Sequence, residues 1–130
     1  MCGREGSGRE WGVGREVGGR GAEGCVADAI AEALVGPDSI YLSIDIDVID
    51  PGMAPGTGTP EPGGMLTREV LRAIRQIVGA VELAGMDIVE VSPPYDLAET
   101  TALAATRCVL QAISPLAVRR RDGTRVPREP

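Results

Sequence analysis

"SIDIDVIDPGMAPGTGTPEPGG", residues 43–64, places Asp45, Asp47 and Asp50 within six residues and then enters a loop dense in Gly and Pro. The first two aspartates lie inside an apolar stretch, residues 40–49, and residues 40–46 of it read as a buried strand. A carboxylate withdrawn from water is costly unless something positive meets it. In a strand, side chains at i and i+2 share a face about 7 Å apart. Asp45 and Asp47 are therefore expected to point the same way at the carboxyl end of a parallel strand, where open α/β sheets place their ligands. The plain alternative is that one aspartate caps the following loop and the other pairs with an arginine. Asp50 keeps its plain reading, a turn-initiating Asp before Pro51.

Working outward, residues 26–35 place apolar side chains at 26, 29, 30, 33 and 34, a helical period that Gly36-Pro37 ends. Residues 67–78 predict a second helix, with Leu66, Val70, Leu71, Ile74, Ile77 and Val78 on one face and Arg68, Arg72 and Arg75 on the other. Gly79 and Gly85 are expected to bracket the next turn. Residues 86–92 read as a second strand, stopped by Pro93-Pro94. Asp96 and Glu99 have capping-box spacing ahead of a third helix to about residue 113, with Ala102, Leu103, Thr106, Val109, Leu110 and Ile113 inward. The unit from residue 40 to 92 is βαβ, so its strands are expected to be parallel, with a right-handed crossover and helices covering the sheet. Two strands make a poor sheet and leave an open apolar edge. The chain reads as a piece of something larger.

Composition bounds the rest. The 130 residues carry a net charge of -6, which argues against a nucleic-acid partner, and every one of the 13 basic residues is Arg, with no His. Cys2, Cys25 and Cys108 are odd in number and far apart, fitting neither a zinc site nor a disulfide framework and pointing to a reducing compartment. No run is read as reaching the ~18 apolar residues of a membrane span, and the N-terminus shows no apolar signal core. The expectation is a cytoplasmic protein with no membrane partner. Residues 1–24, rich in Gly, are expected to be mostly disordered, residues 25–114 to form the α/β part, and residues 115–130 to be an Arg- and Pro-rich tail overhanging in solvent.

Several chemistries use an aspartate pair of this kind. A calcium loop starting at Asp45 would need an oxygen ligand, Gly and Glu where Ile49, Asp50 and Gly56 stand. A phosphate-binding loop needs Gly-Lys-Ser/Thr, which "GTGTPEPGG" lacks. A phosphotransferase with Asp45 as nucleophile and Asp47 as general acid is a distant alternative, since no Lys is present to steady a phosphate. The order Ser43-Ile-Asp45-Ile-Asp47, Asp50-Pro51, "APGTGTPEPGG" and "MDIVEVSPPYD" instead resembles the ureohydrolases, and within them agmatinases more than arginases. The resemblance is clear over residues 37–113 and extends weakly back to about residue 16.

That resemblance implies the C-terminal portion only of a three-layer αβα, arginase-like fold with parallel strands. It also implies a homo-oligomeric full-length family, two Mn2+ ions per complete site, and hydrolysis of agmatine or a similar guanidino compound to urea and an amine. By the resemblance, Asp45 and Asp47 are metal ligands and Glu90 grips the guanidinium. The loop at residues 57–60 shapes the site, with Thr59 as a substrate contact. The family's Gly-Asp-His and Asp-Ala-His-x-Asp segments, and its loop histidine for proton transfer, are absent from this sequence. No complete catalytic set is therefore expected here, and the chain is expected to be inactive alone. A non-catalytic module that pairs with a sister chain is the competing expectation.

Overall fold

Residues 17–124 are described by the computed structural model, and they form helix α1 (Val17–Ala33), strand β1 (Ile40–Asp45), helix α2 (Thr67–Ala80), strand β2 (Leu83–Val89) and helix α3 (Thr100–Asp122). Two 3-10 turns, Ile46–Val48 and Pro93–Tyr95, follow the strands. The strands pair in parallel, in register from Tyr41↔Gly85 to Asp45↔Val89, with one irregularity after Ile40. The predicted βαβ unit is present, with α2 as its crossover.

The alternation of β1 sorts the layers. Leu42 and Ile44, with Met86 and Ile88 of β2, join one apolar cluster with Val70, Ile74 and Val78 of α2 and Ala104, Cys108 and Ala112 of α3. Tyr41, Ser43 and Asp45 are exposed on the opposite face. Helices thus cover one face of the sheet among the described residues, which gives two layers of the expected three. Gly85 sits opposite Tyr41, and a Cβ there would meet the Tyr41 ring at 3.0 Å, so this strand glycine makes room for the aromatic.

Helix α2 forms as its period predicts, burying Val70, Ile74 and Val78 and leaving Arg68, Arg72 and Arg75 exposed. Glu69 reaches back to accept from the Leu66 N–H at 2.8 Å, satisfying one of the free amides of the first turn. Gly79 and Gly85 flank the reversal at Val81 and Glu82, each from within an element, Gly79 inside α2 and Gly85 inside β2. Strand β2 begins and ends three residues earlier than expected, because Glu90 leaves the extended region with φ 63°. Helix α1 starts at Val17, so residues 17–24 of the segment expected to be disordered are helical. Residues 1–16 lie outside the described chain.

Helix α3 departs most from expectation. It turns Thr101, Ala104, Cys108, Gln111 and Ala112 inward, while Leu103, Val109, Leu110 and Ile113 are exposed. Small residues at 104, 108 and 112, one turn apart, let α3 approach α2 closely, and the bulky aliphatics face away. The helix also passes through Pro115 to Asp122, well beyond residue 113. Arg119 accounts for part of this: its guanidinium donates to the Val78 and Val81 carbonyls at 2.8 and 3.1 Å, closing the C-terminal end of α2. Residues 115–122 are therefore helix, capped at Gly123 and held to the rest of the fold by Leu116 and Arg119 while mostly exposed, with 125–130 outside the described chain. By length and composition alone, α3 is also long and apolar enough to cross a membrane, contrary to the sequence expectation.

Candidate functional site

The two aspartates are adjacent, although not as strand neighbours. β1 stops at Asp45, whose carboxylate accepts the Asp47 N–H at 3.0 Å and turns the chain into the 3-10 turn Ile46–Val48. This side-chain bond competes with strand extension, as Asp commonly does at turns. Ile46 and Ile49 are fully buried on either side of Asp47 and fix the turn, each side chain contributing about 1.5–3 kcal/mol by burial. The i/i+2 strand geometry is thus replaced by an Asp-capped turn, and both carboxylates remain at the carboxyl end of β1. One caps the loop, as the plain reading had it; the other pairs with no arginine among the described residues.

Thr59 donates its hydroxyl to Asp47 Oδ2 in a short hydrogen bond. Among the described residues, Asp47 Oδ1 is buried with no hydrogen-bond partner. An unpartnered buried carboxylate oxygen is costly, and a hard cation is one group that would meet it. Asp45, Asp47 and Thr59 are therefore brought together. Glu90 follows Val89, the partner of Asp45 in the register, so its backbone lies at the same end of the sheet. Its side chain is exposed, and none of the hydrogen bonds just described joins it to the other three residues.

The loop that carries Thr59 is pinned at its neck by Asp50. One carboxylate oxygen accepts from the Gly52 N–H at 2.8 Å and the other from the Gly63 N–H at 2.9 Å. Asp50 N–H donates to Met65, and Met65 N–H to Val48, so both ends of the loop are tied together. The adjacent Gly64 has no room for a side chain, since a Cβ would come within 2.8 Å of the Asp50 nitrogen and the Val48 oxygen. Asp50 does more than start a turn. Its place at the start of a loop that opens with Gly52 and closes at Gly63-Gly64 was the available signal.

Behind the loop, sequence reasoning missed a buried polar cluster. Asp96 accepts from the Thr101 N–H at 3.1 Å and the Ala102 N–H at 2.9 Å, capping α3 from four residues before its start. Glu99 is the helix N-cap by backbone position, with φ 55°, and does not reach back, so the capping-box spacing does not make a capping box. Burial alone would raise the Asp96 carboxyl, but the hydrogen bonds from Ala102 and Thr101 outweigh it and hold the group below the usual carboxylate range. On the open sheet face, Tyr41 donates to Asp87 at 3.2 Å; desolvation first, and then the Asp87 hydrogen bond and charge, push the phenol up.

Among the described residues no group of three or more Cys, Asp or Glu side chains gathers in a way that could hold a metal. Two carboxylates, one with an unpartnered oxygen, are what the strand end offers. They fit part of a hard-metal donor set.

The family model described as the arginase family matches residues 8–114. The chain is 53% identical over 83 residues to proclavaminate amidinohydrolase of Streptomyces clavuligerus, covering 64% of this chain and 26% of that protein. It is 51% identical over 90 residues to putative agmatinase 1 of Schizosaccharomyces pombe, covering 67% and 23% respectively. Its fold is similar to the crystal structure of a hypothetical agmatinase from Burkholderia thailandensis, with TM-score 0.71, 39% identity, and coverage of 83% of this chain and 33% of that one. The chain thus spans about a quarter to a third of the length of these relatives. With a match that runs through both strands, the loop between Asp47 and Met65 and the first part of α3, the chain belongs to the arginase family, on its agmatinase-like side.

Proposed function

We propose that this chain carries part of the active site of an agmatinase-like hydrolase, which splits a guanidino compound such as agmatine with water to give urea and an amine. The observation that carries the reading is the strand end itself: Asp45 and Asp47 side by side, Asp47 Oδ1 buried without a partner, and Thr59 bonded to the other oxygen. In this reading Asp45 and Asp47 are the ligands this chain contributes to a manganese pair. When bound, that pair would supply a water activated for attack on the guanidinium carbon.

The chain's other residues have separate tasks. The Glu90 carboxylate accepts two parallel N–H bonds from the guanidinium, a geometry that fixes orientation as well as charge. Its left-handed backbone costs about 1–2 kcal/mol relative to ordinary φ, a cost typical of a residue held for use rather than for stability. Thr59 orients the Asp47 carboxylate and stands at the rim where substrate enters. Two carboxylates leave most of a manganese pair's coordination to water, and with no His in the chain a proton shuttle is also lacking.

The chain alone is therefore proposed to be inactive, its ligands completed by the remainder of the family domain. The test is urea release by the purified 130-residue chain with excess Mn2+ and agmatine. No turnover is expected; turnover abolished by Asp47→Ala would overturn the claim that the site is incomplete.

A further inference from the structure

Thr101 and Asp96 bond to none of Asp45, Asp47, Thr59 or Glu90, yet they are 0% and 5% exposed. A buried hydroxyl and carboxylate are retained at a cost unless hydrogen bonds return it. The bonds go to one loop and to the first turn of α3. Thr101 Oγ1 accepts the Gly56 N–H at 2.7 Å in a buried contact. On its other side, the Gly56 carbonyl accepts the Ser92 N–H at 2.8 Å. Asp96 fixes the first turn of α3 and so fixes Thr101.

Gly56 thus links two segments that matter, through its N–H and its carbonyl. Thr59, bonded to Asp47, lies three residues after it; Glu90 lies two residues before Ser92. No side chain fits at the junction, because a Cβ on Gly56 would sit 2.4 Å from Asp96 Cβ. The strained φ of Glu90 needs such an anchor, since an uncommon backbone conformation persists only where its surroundings over-determine it.

We propose that Asp96 and Thr101 are positioning residues: acting through Gly56, they set the spacing between Glu90 and the Asp47–Thr59 pair at the ends of the two strands. The inference rests on the functional reading of those residues given above. It explains why the first turn of α3 is capped by Asp96, the first residue of the Asp96–Glu99 turn, rather than by its own N-cap Glu99. That arrangement ties the helix to the loops, whereas a local cap would tie it only to itself.

The test uses the 130-residue chain with Thr101→Val, which removes the acceptor at nearly constant shape, and Thr101→Ser, which keeps it. Amide hydrogen exchange is read by NMR at Ser92, whose N–H does not bond to Thr101, and Mn2+ binding by electron paramagnetic resonance. Thr101→Val should accelerate exchange at Ser92 by about tenfold or more, the size of one lost hydrogen bond. It should also weaken Mn2+ binding several-fold, and Thr101→Ser should restore both. A role confined to helix stability would speed exchange along α3 and leave Ser92 unchanged, and that result overturns the proposal. If Ser92 responds and is rescued by serine while the wild-type chain binds no Mn2+, the positioning role stands and the metal reading falls. Should Thr101→Val not fold, Asp96→Asn takes its place, and unchanged Ser92 exchange in that variant equally overturns the proposal.

Discussion

Replacing Gly56 by alanine puts a methyl group 2.4 Å from Asp96 Cβ and 2.9 Å from both Asp96 Cγ and Thr101 Oγ1. Ordinary carbon contacts lie at about 3.5–4.0 Å, so loop and helix must part by more than about 1 Å. Asp96 cannot swing aside cheaply, because its two oxygens hold the Thr101 and Ala102 amides. Overpacking of this kind costs about 1–3 kcal/mol. Parting by that distance also breaks the Gly56–Thr101 hydrogen bond and leaves the buried Gly56 N–H without its acceptor, for about 1–3 kcal/mol more. The stiffer unfolded chain returns about 0.4–1 kcal/mol, because the backbone at Gly56 is outside the positive-φ region. The net expectation is a loss of about 1–5.5 kcal/mol, a large share of the roughly 5–15 kcal/mol of a domain. Urea unfolding followed by circular dichroism measures it. A loss below about 0.5 kcal/mol, with an unchanged denaturant slope, would refute the argument that loop and helix meet at bare backbone.

The Asp96 carboxyl lies below its unfolded value near 3.9, so its contribution to stability is present above about pH 4 and is lost as pH falls through the folded value. The stability gap between wild type and Asp96→Asn should therefore be widest near neutrality and narrow towards pH 3; a gap independent of pH in urea unfolding would contradict this. Arg119→Met keeps the side-chain stem and removes the two bonds to the end of α2. It should cost about 1–3 kcal/mol and speed exchange in the last turn of that helix, whereas an unchanged melting temperature would show that residues 115–122 do not hold α2.

What was legible in the sequence follows from how local each signal is. The apolar period of α2 needs only its own residues, and it predicted the buried face correctly at Val70, Ile74 and Val78. The Asp-x-Asp at a strand end followed by a Gly- and Pro-rich loop carries the family match, and the parallel register that brings Val89 beside Asp45 follows from the βαβ order. The end of β1 was less legible, since an apolar run does not reveal where an Asp carboxylate turns back onto the backbone. Asp45 does so at the Asp47 amide, which moves Asp47 off the strand.

The inward face of α3 could not be read locally for a different reason. The helix has two faces apolar enough to pack, one of Ala104, Cys108 and Ala112, the other of Leu103, Leu110 and Ile113. Hydrophobic ranking selects the bulkier face, whereas the structure uses the smaller one against α2. The choice is made at the N-terminal end: Asp96 and Gly56 hold Thr101 inward, and the helical period then turns 104, 108, 111 and 112 to the core. Two contacts with loops 5 and 45 residues away in sequence thus set the rotation of a 23-residue helix. The same contacts tie the helix to the candidate site, so the rotation of α3 and the alignment of the loops beside Thr59 and Glu90 have one physical origin.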